Sequence, residues 1–123
     1  MIAYVTVGTN DLSRAAVFYD AIAKELGAGR FLELPDRIGW GSLRGGGIMV
    51  MKPFNGEAAS IGNGCMISLA AEDKEHVARI HKRALELGGM NEGEPGTRGG
   101  GSFHVAYFRD LDGNKLNAFA LGA

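Results

Sequence analysis

Hydrophobic and polar positions alternate along Tyr4-Val-Thr-Val-Gly8, the period of two that marks a half-buried strand. Downstream of Thr9-Asn10 the period changes. From about Asp11, Leu12, Ala15/Ala16, Tyr19, Ile22/Ala23 and Leu26 recur near every 3.6 residues, which predicts an amphipathic helix ended by Gly27. Three short strands are predicted next, at about 30–34, 38–43 and 48–52. They are punctuated by Pro35-Asp36 and by Gly45-Gly46-Gly47. The pattern then starts again. Met66-Ile-Ser-Leu-Ala70 repeats the strand, and a helix from about Asp73 carries Val77, Ile80, Ala84 and Leu87 on one stripe before Gly88. A weak strand near 90–94, a strand at 103–109 and a strand at 115–121 complete the second set. Asp110-Leu-Asp-Gly113 is a tight turn between the last two.

The two sets are one plan used twice. Tyr4 to Met66 is a step of 62 residues, and Asp11 to Asp73 is 62 again. The order is βαβββ followed by βαβββ, as an internal repeat requires. The expected organisation is a single domain over 1–123, with one module at about 1–57 and the other at about 62–123. Alternation puts Val5/Val7 and Ile67/Leu69 on the helix-facing sides of their sheets. Tyr4/Thr6/Gly8 and Met66/Ser68/Ala70 fall on the opposite sides.

Composition narrows the function classes. The 123 residues carry thirteen basic and fourteen acidic side chains, a net charge of −1, so nothing favours nucleic acid or an acidic membrane as a partner. The basic cluster Arg79-Ile-His-Lys-Arg83 is expected to be a solvated helix face. His76 and His81 are expected to face solvent on the same helix. No apolar run approaches the roughly 18 residues of a membrane span. The chain enters a strand at once, so no signal peptide is expected and the cytoplasm is the default location. The single cysteine, Cys65, permits no internal disulfide. The stretch Pro95-Gly-Thr-Arg-Gly-Gly-Gly101 lacks the Gly-Lys-Ser/Thr of a phosphate loop and is expected to be a loop.

Two segments carry a family likeness. Tyr4-Val-Thr-Val-Gly-Thr-Asn-Asp-Leu-Ser-Arg-Ala-Ala-Val-Phe-Tyr19 resembles the opening strand and helix of the vicinal oxygen chelate superfamily. Tyr107-Phe-Arg-Asp-Leu-Asp-Gly-Asn-Lys-Leu-Asn-Ala-Phe119 resembles its closing hairpin. That superfamily includes glyoxalase I, the fosfomycin and bleomycin resistance proteins and extradiol dioxygenases. The resemblance implies an α+β fold in which two βαβββ modules form curved mixed sheets around a central cavity, with helices on the outer faces. It also implies a homodimer.

The same resemblance implies where a metal would sit. Its ligand positions map onto Tyr4, Met66 and Asn117, with the fourth at Val50 or at neighbouring Met49 or Met51. A phenol ionises only near pH 10, a thioether is soft and neutral, and an amide brings no charge. The metal site is therefore expected to be absent, with no cofactor. The remaining candidates form a mixed pocket for a small organic ligand: Tyr4, Trp40, Met51, Met66, His104 and Asn117. Tyr4, His104 and Asn117 would orient the ligand by hydrogen bonds. Three functions follow: a metal-free binder of a small organic molecule, a glyoxalase-like lyase or dioxygenase with an unconventional site, or a non-catalytic dimeric module. No catalytic residue is nominated.

Overall fold

A computed structural model describes residues 1–122. Module one comprises β1 (Tyr4–Gly8), α1 (Leu12–Glu25), β2 (Arg30–Leu34), β3 (Arg37–Trp40) and β4 (Gly47–Met51). Module two comprises β5 (Ile67–Ala70), α2 (Lys74–Glu86), β6 (Met90–Arg98), β7 (Phe103–Arg109) and β8 (Lys115–Leu121). The strands form two four-stranded sheets with equivalent orders, β1-β4-β3-β2 and β5-β8-β7-β6. In each, the first strand runs parallel to the last and the other neighbours are antiparallel. The duplicated βαβββ order is as the hydrophobic pattern predicts, and the α+β fold is as the family resemblance implies.

The repeat extends to the helix ends. Asp11 caps α1 by accepting from the Arg14 N–H at 3.0 Å, and Asp73 caps α2 by accepting from the His76 N–H at 2.8 Å. Each helix closes at a leucine followed by a glycine in the left-handed region, Gly27 at φ 71° and Gly88 at φ 97°. Between these stops, α1 buries Ala15, Tyr19, Ile22 and Ala23, while α2 buries Val77, Ile80 and Ala84. Opposite them, Val50, Phe108, Leu116 and Ala118 close the core. Each large apolar side chain sealed there contributes roughly 2 kcal/mol.

Helix α1 buries a second stripe as well. Phe18 is 1% exposed, and its ring packs 6.4 Å from that of Phe108 on β7 of the other module. The turn between β7 and β8 then reaches across to module one. Asp110 accepts from the Tyr19 hydroxyl at 2.7 Å, from the main-chain N–H groups of Asp112 and Asn114, and from the Asn114 side chain. Asn114 also donates to the Gly8 carbonyl at 3.0 Å, and Thr9 donates to Asp112 at 2.6 Å. The Asp-x-Asp-Gly-Asn turn is thus a clasp between modules. Burial raises the Tyr19 hydroxyl pKa well above its ordinary value, and the Asp110 carboxylate beside it adds to the rise.

Three expectations are corrected. His76 and His81 do not face solvent; they are 5% and 3% exposed. His76 accepts from the Glu72 N–H at 3.0 Å and pairs with the Glu25 carbonyl at 2.6 Å, tying α2 to the end of α1. His81 meets Asn91 at 3.1 Å. Their polar atoms find partners inside the fold, so burial costs little. Third, β6 is nine residues long and includes Pro95–Arg98, which was expected to be loop. Two register shifts opposite β7 accommodate the irregular sequence.

Candidate functional site

Each sheet has one face covered by helix and one face free of it, and the register assigns side chains to both. In module one, Tyr4, Thr6 and Gly8 align with Gly47, Met49 and Met51 on the helix-free face. In module two, Ser68 aligns with Asn117, which aligns in turn with Tyr107. The step of 62 residues turns Thr6 into Ser68, so their neighbours Met49 and Asn117 are equivalent. The same register bears on the fourth position that the resemblance implies. Val50 is fully buried against the helices, and Met49 rather than Met51 is the structural mate of Asn117.

The helix-free face of module one is shaped by absent side chains. A Cβ on Gly39 would lie 2.6 Å from the Phe31 ring, and one on Gly47 would lie 3.1 Å from it. Both glycines let that ring lie flat across the sheet. Beyond it, the connection after β4 overhangs a hollow of about 450 Å³ bordered by Thr6, Met51, Phe54 and Glu57. Tyr4 on the same face is 44% exposed.

Module two presents a more aromatic surface. The Phe103 and Phe119 rings lie 5.2 Å apart, and the Lys115 ammonium sits 5.3 Å from the Tyr107 ring centre. Among them Asn117 is 3% exposed, and its side-chain oxygen has no hydrogen-bond partner. At the rim, Arg109 hydrogen-bonds Glu92 and holds that carboxyl below its usual range.

The six sequence candidates are not one constellation. Tyr4, Met51 and Asn117 occupy helix-free faces. Trp40 and His104 do not. Trp40 aligns with Ile48 on the helix side, 3% exposed, with its indole N–H donating to Asp20 at 2.8 Å. His104 aligns with Ala120 on the side shared with buried Ala106 and Phe108, and its buried Nδ1 has no partner. Strand parity separates each from the residues it was grouped with. Trp40 and Met66 instead meet at a different hollow of about 500 Å³, between α1 and β5. No local pattern in the chain signals this cleft, because it is built by packing between modules.

The donor set does not fit a catalytic divalent ion. Tyr4, Met49, Met66 and Asn117 offer a phenol, two thioethers and an amide, all neutral, where such an ion wants carboxylates and imidazoles. Among the described residues no group of three or more His, Cys, Asp or Glu is arranged to hold a metal.

Two βαβββ modules, each with a four-stranded mixed sheet of the same strand order, define the glyoxalase-like class. The family model for the Glyoxalase/Bleomycin resistance protein/Dioxygenase superfamily matches residues 1–118, and the chain belongs to that superfamily. It is similar to the glyoxalase/bleomycin resistance protein of Albidiferax ferrireducens T118, at 35% identity and TM-score 0.91 over 99% of both chains. The fold is shared with a glyoxalase-related enzyme of Fulvimarina pelagi, at 20% identity and TM-score 0.78 over 98% of this chain and 87% of that one. It is shared too with lactoylglutathione lyase of Agrobacterium tumefaciens, at 22% identity and TM-score 0.71 over 98% and 92%. A search of the curated proteins finds no match. No helix among the described residues is long and apolar enough to cross a membrane.

Proposed function

We propose that the protein is a metal-free member of its superfamily that binds a small organic molecule on the helix-free faces of its sheets. One observation carries this reading. The register makes Thr6/Met49 equivalent to Ser68/Asn117, so every pseudo-symmetric ligand position holds a neutral side chain. Such a surface keeps hydrogen-bonding groups and soft apolar ones while lacking the charge that grips a hard cation. The hollow beside Met51 and the aromatic surface around Asn117 support an amphipathic, uncharged or anionic ligand. We propose further that the protein works as a homodimer in the cytoplasm. Exposed Tyr4, Leu34 and Phe54 give a second copy apolar surface to cover, and the exposed Cys65 thiol suits a reducing compartment.

Protein purified without chelator or a nickel column is expected to contain less than about 0.1 metal ion per chain, because catalytic ions are stoichiometric. One ion per chain would overturn the proposal. Equilibrium dialysis against a mixed metabolite pool is expected to retain a small organic compound, and Met51→Trp, which fills the hollow, is expected to abolish its retention. Sedimentation velocity tests the dimer, and a single monomeric species at micromolar concentration would remove it.

A further inference from the structure

The cleft lies between α1 and the free edge of β5, so residues of both faces of that strand border it, Met66 and Ser68 among them. Its walls are Tyr19, Ile22 and Leu26 from α1, Trp40 from the end of β3, and residues 66–70 along β5. β5 is an outermost strand, paired only with β8, so the main-chain groups of its other edge have no strand partner. Not one lining residue carries a charged side chain. The two aromatic walls have their polar atoms engaged elsewhere, the Tyr19 hydroxyl with Asp110 at 2.7 Å and the Trp40 indole N–H with Asp20 at 2.8 Å. What they present to the cleft is ring surface. The polar groups left over are the Ser68 hydroxyl and the free main-chain edge beside it.

We propose that this cleft is a second binding site, for a small uncharged molecule with a planar apolar body and one polar substituent. At about 500 Å³ it falls inside the size range of small-molecule sites. An ion entering it would leave water and find no opposite charge, which excludes carboxylates and ammonium compounds as ligands. The polar substituent faces Ser68, and the planar body lies against Trp40 and Tyr19. The glycines Gly41, Gly46 and Gly47 border the same space and put no side chain into it.

Trp40 is the single tryptophan of the chain, so its emission reports this wall alone. The probes are 1-bromonaphthalene and 4-bromophenol, whose bromine quenches indole on contact, with 4-bromobenzoate and 4-bromobenzylamine as charged counterparts. Saturable one-to-one quenching is expected from the neutral pair, at least tenfold tighter than from either ion. Ala23→Leu, which extends a side chain into the cleft, is expected to weaken both neutral probes at least tenfold. Ser68→Val is expected to weaken 4-bromophenol more than 1-bromonaphthalene. Met51→Trp adds a second indole, so the silent filler Met51→Phe is used, and it is expected to leave quenching unchanged; that separates this site from the helix-free faces. Equal quenching by neutral and charged probes, or non-saturable quenching in the wild type, overturns the proposal without recourse to any variant. So does quenching that disappears as protein concentration rises, because a second copy would then be the occupant.

Discussion

The hairpin joining the third and fourth strands occurs once in each module, and the two copies have parted company. In module two it is Asp110–Asn114, whose side chains bind Tyr19, Gly8, Thr9 and Asn10 in the other module. In module one it is residues 41–46, rich in glycine, and its side-chain bonding is local, with Ser42 accepting from the Arg44 N–H. One hairpin closes the junction between modules. The other borders the open cleft. A duplicated fold needs the strand order and the helix caps twice, but it needs its fastening only once. The second copy was free to shed side chains.

The sharpest way to break this comparison is to cut the fastening. Asp110→Ala strands the Tyr19 hydroxyl, the Asn114 amide and two main-chain N–H groups, and is expected to cost about 3 kcal/mol in urea unfolding. The pH dependence has a definite sign. Tyr19 holds its proton in the folded state beyond its ordinary value of 10.0, whereas the unfolded chain releases it there. The stability linked to that proton is complete below about pH 10 and declines as pH rises above it. Tyr19→Phe is expected to flatten that decline. A variant whose alkaline unfolding matches the wild type would show that the clasp hydroxyl is not a stabilising contact.

Smaller effects test the other hairpin. Gly41 sits at φ 100°, and a Cβ there would lie 2.8 Å from the Gly46 carbonyl oxygen. Gly41→Ala is expected to cost roughly 2 kcal/mol, through strain alone. Chemical unfolding of this variant beside Asp110→Ala would sharpen the contrast between a hairpin constrained by its backbone and one that works through side chains. The smallest test concerns what the modules still share. Asp11→Ala and Asp73→Ala remove equivalent caps, and each is expected to cost about 1 kcal/mol. Thermal melts differing by more than that between the two variants would show that the repeat is geometric without being energetic.

Much of the architecture was legible because it rests on periodicity. The step of 62 residues and the glycine stops are local signals, and the strands at Arg30–Leu34, Phe103–Arg109 and Lys115–Leu121 match the pattern residue for residue. What was not legible depends on partners distant in sequence. Phe18 falls outside the predicted stripe of α1 because it packs on Phe108, ninety residues away. His76 and His81 look like solvated helix positions until the Glu25 carbonyl and Asn91 arrive to meet them. The candidate site was half legible. Parity assigns Tyr4 to a face within its own strand, but it could not single out Met49 until the pairing of β1 with β4 was known. Trp40 and His104 were grouped by chemistry, and the pleat divides them.

Because module one is tied to module two through Phe18 and Tyr19 of α1 and through Thr9 just before it, the covalent link near Gly62-Asn63 contributes little to holding them together. A chain severed there keeps every one of those ties. The molecule is therefore suited to being made as two separate polypeptides, each inert by itself, whose reunion can be scored as a reporter of proximity between whatever is fused to them.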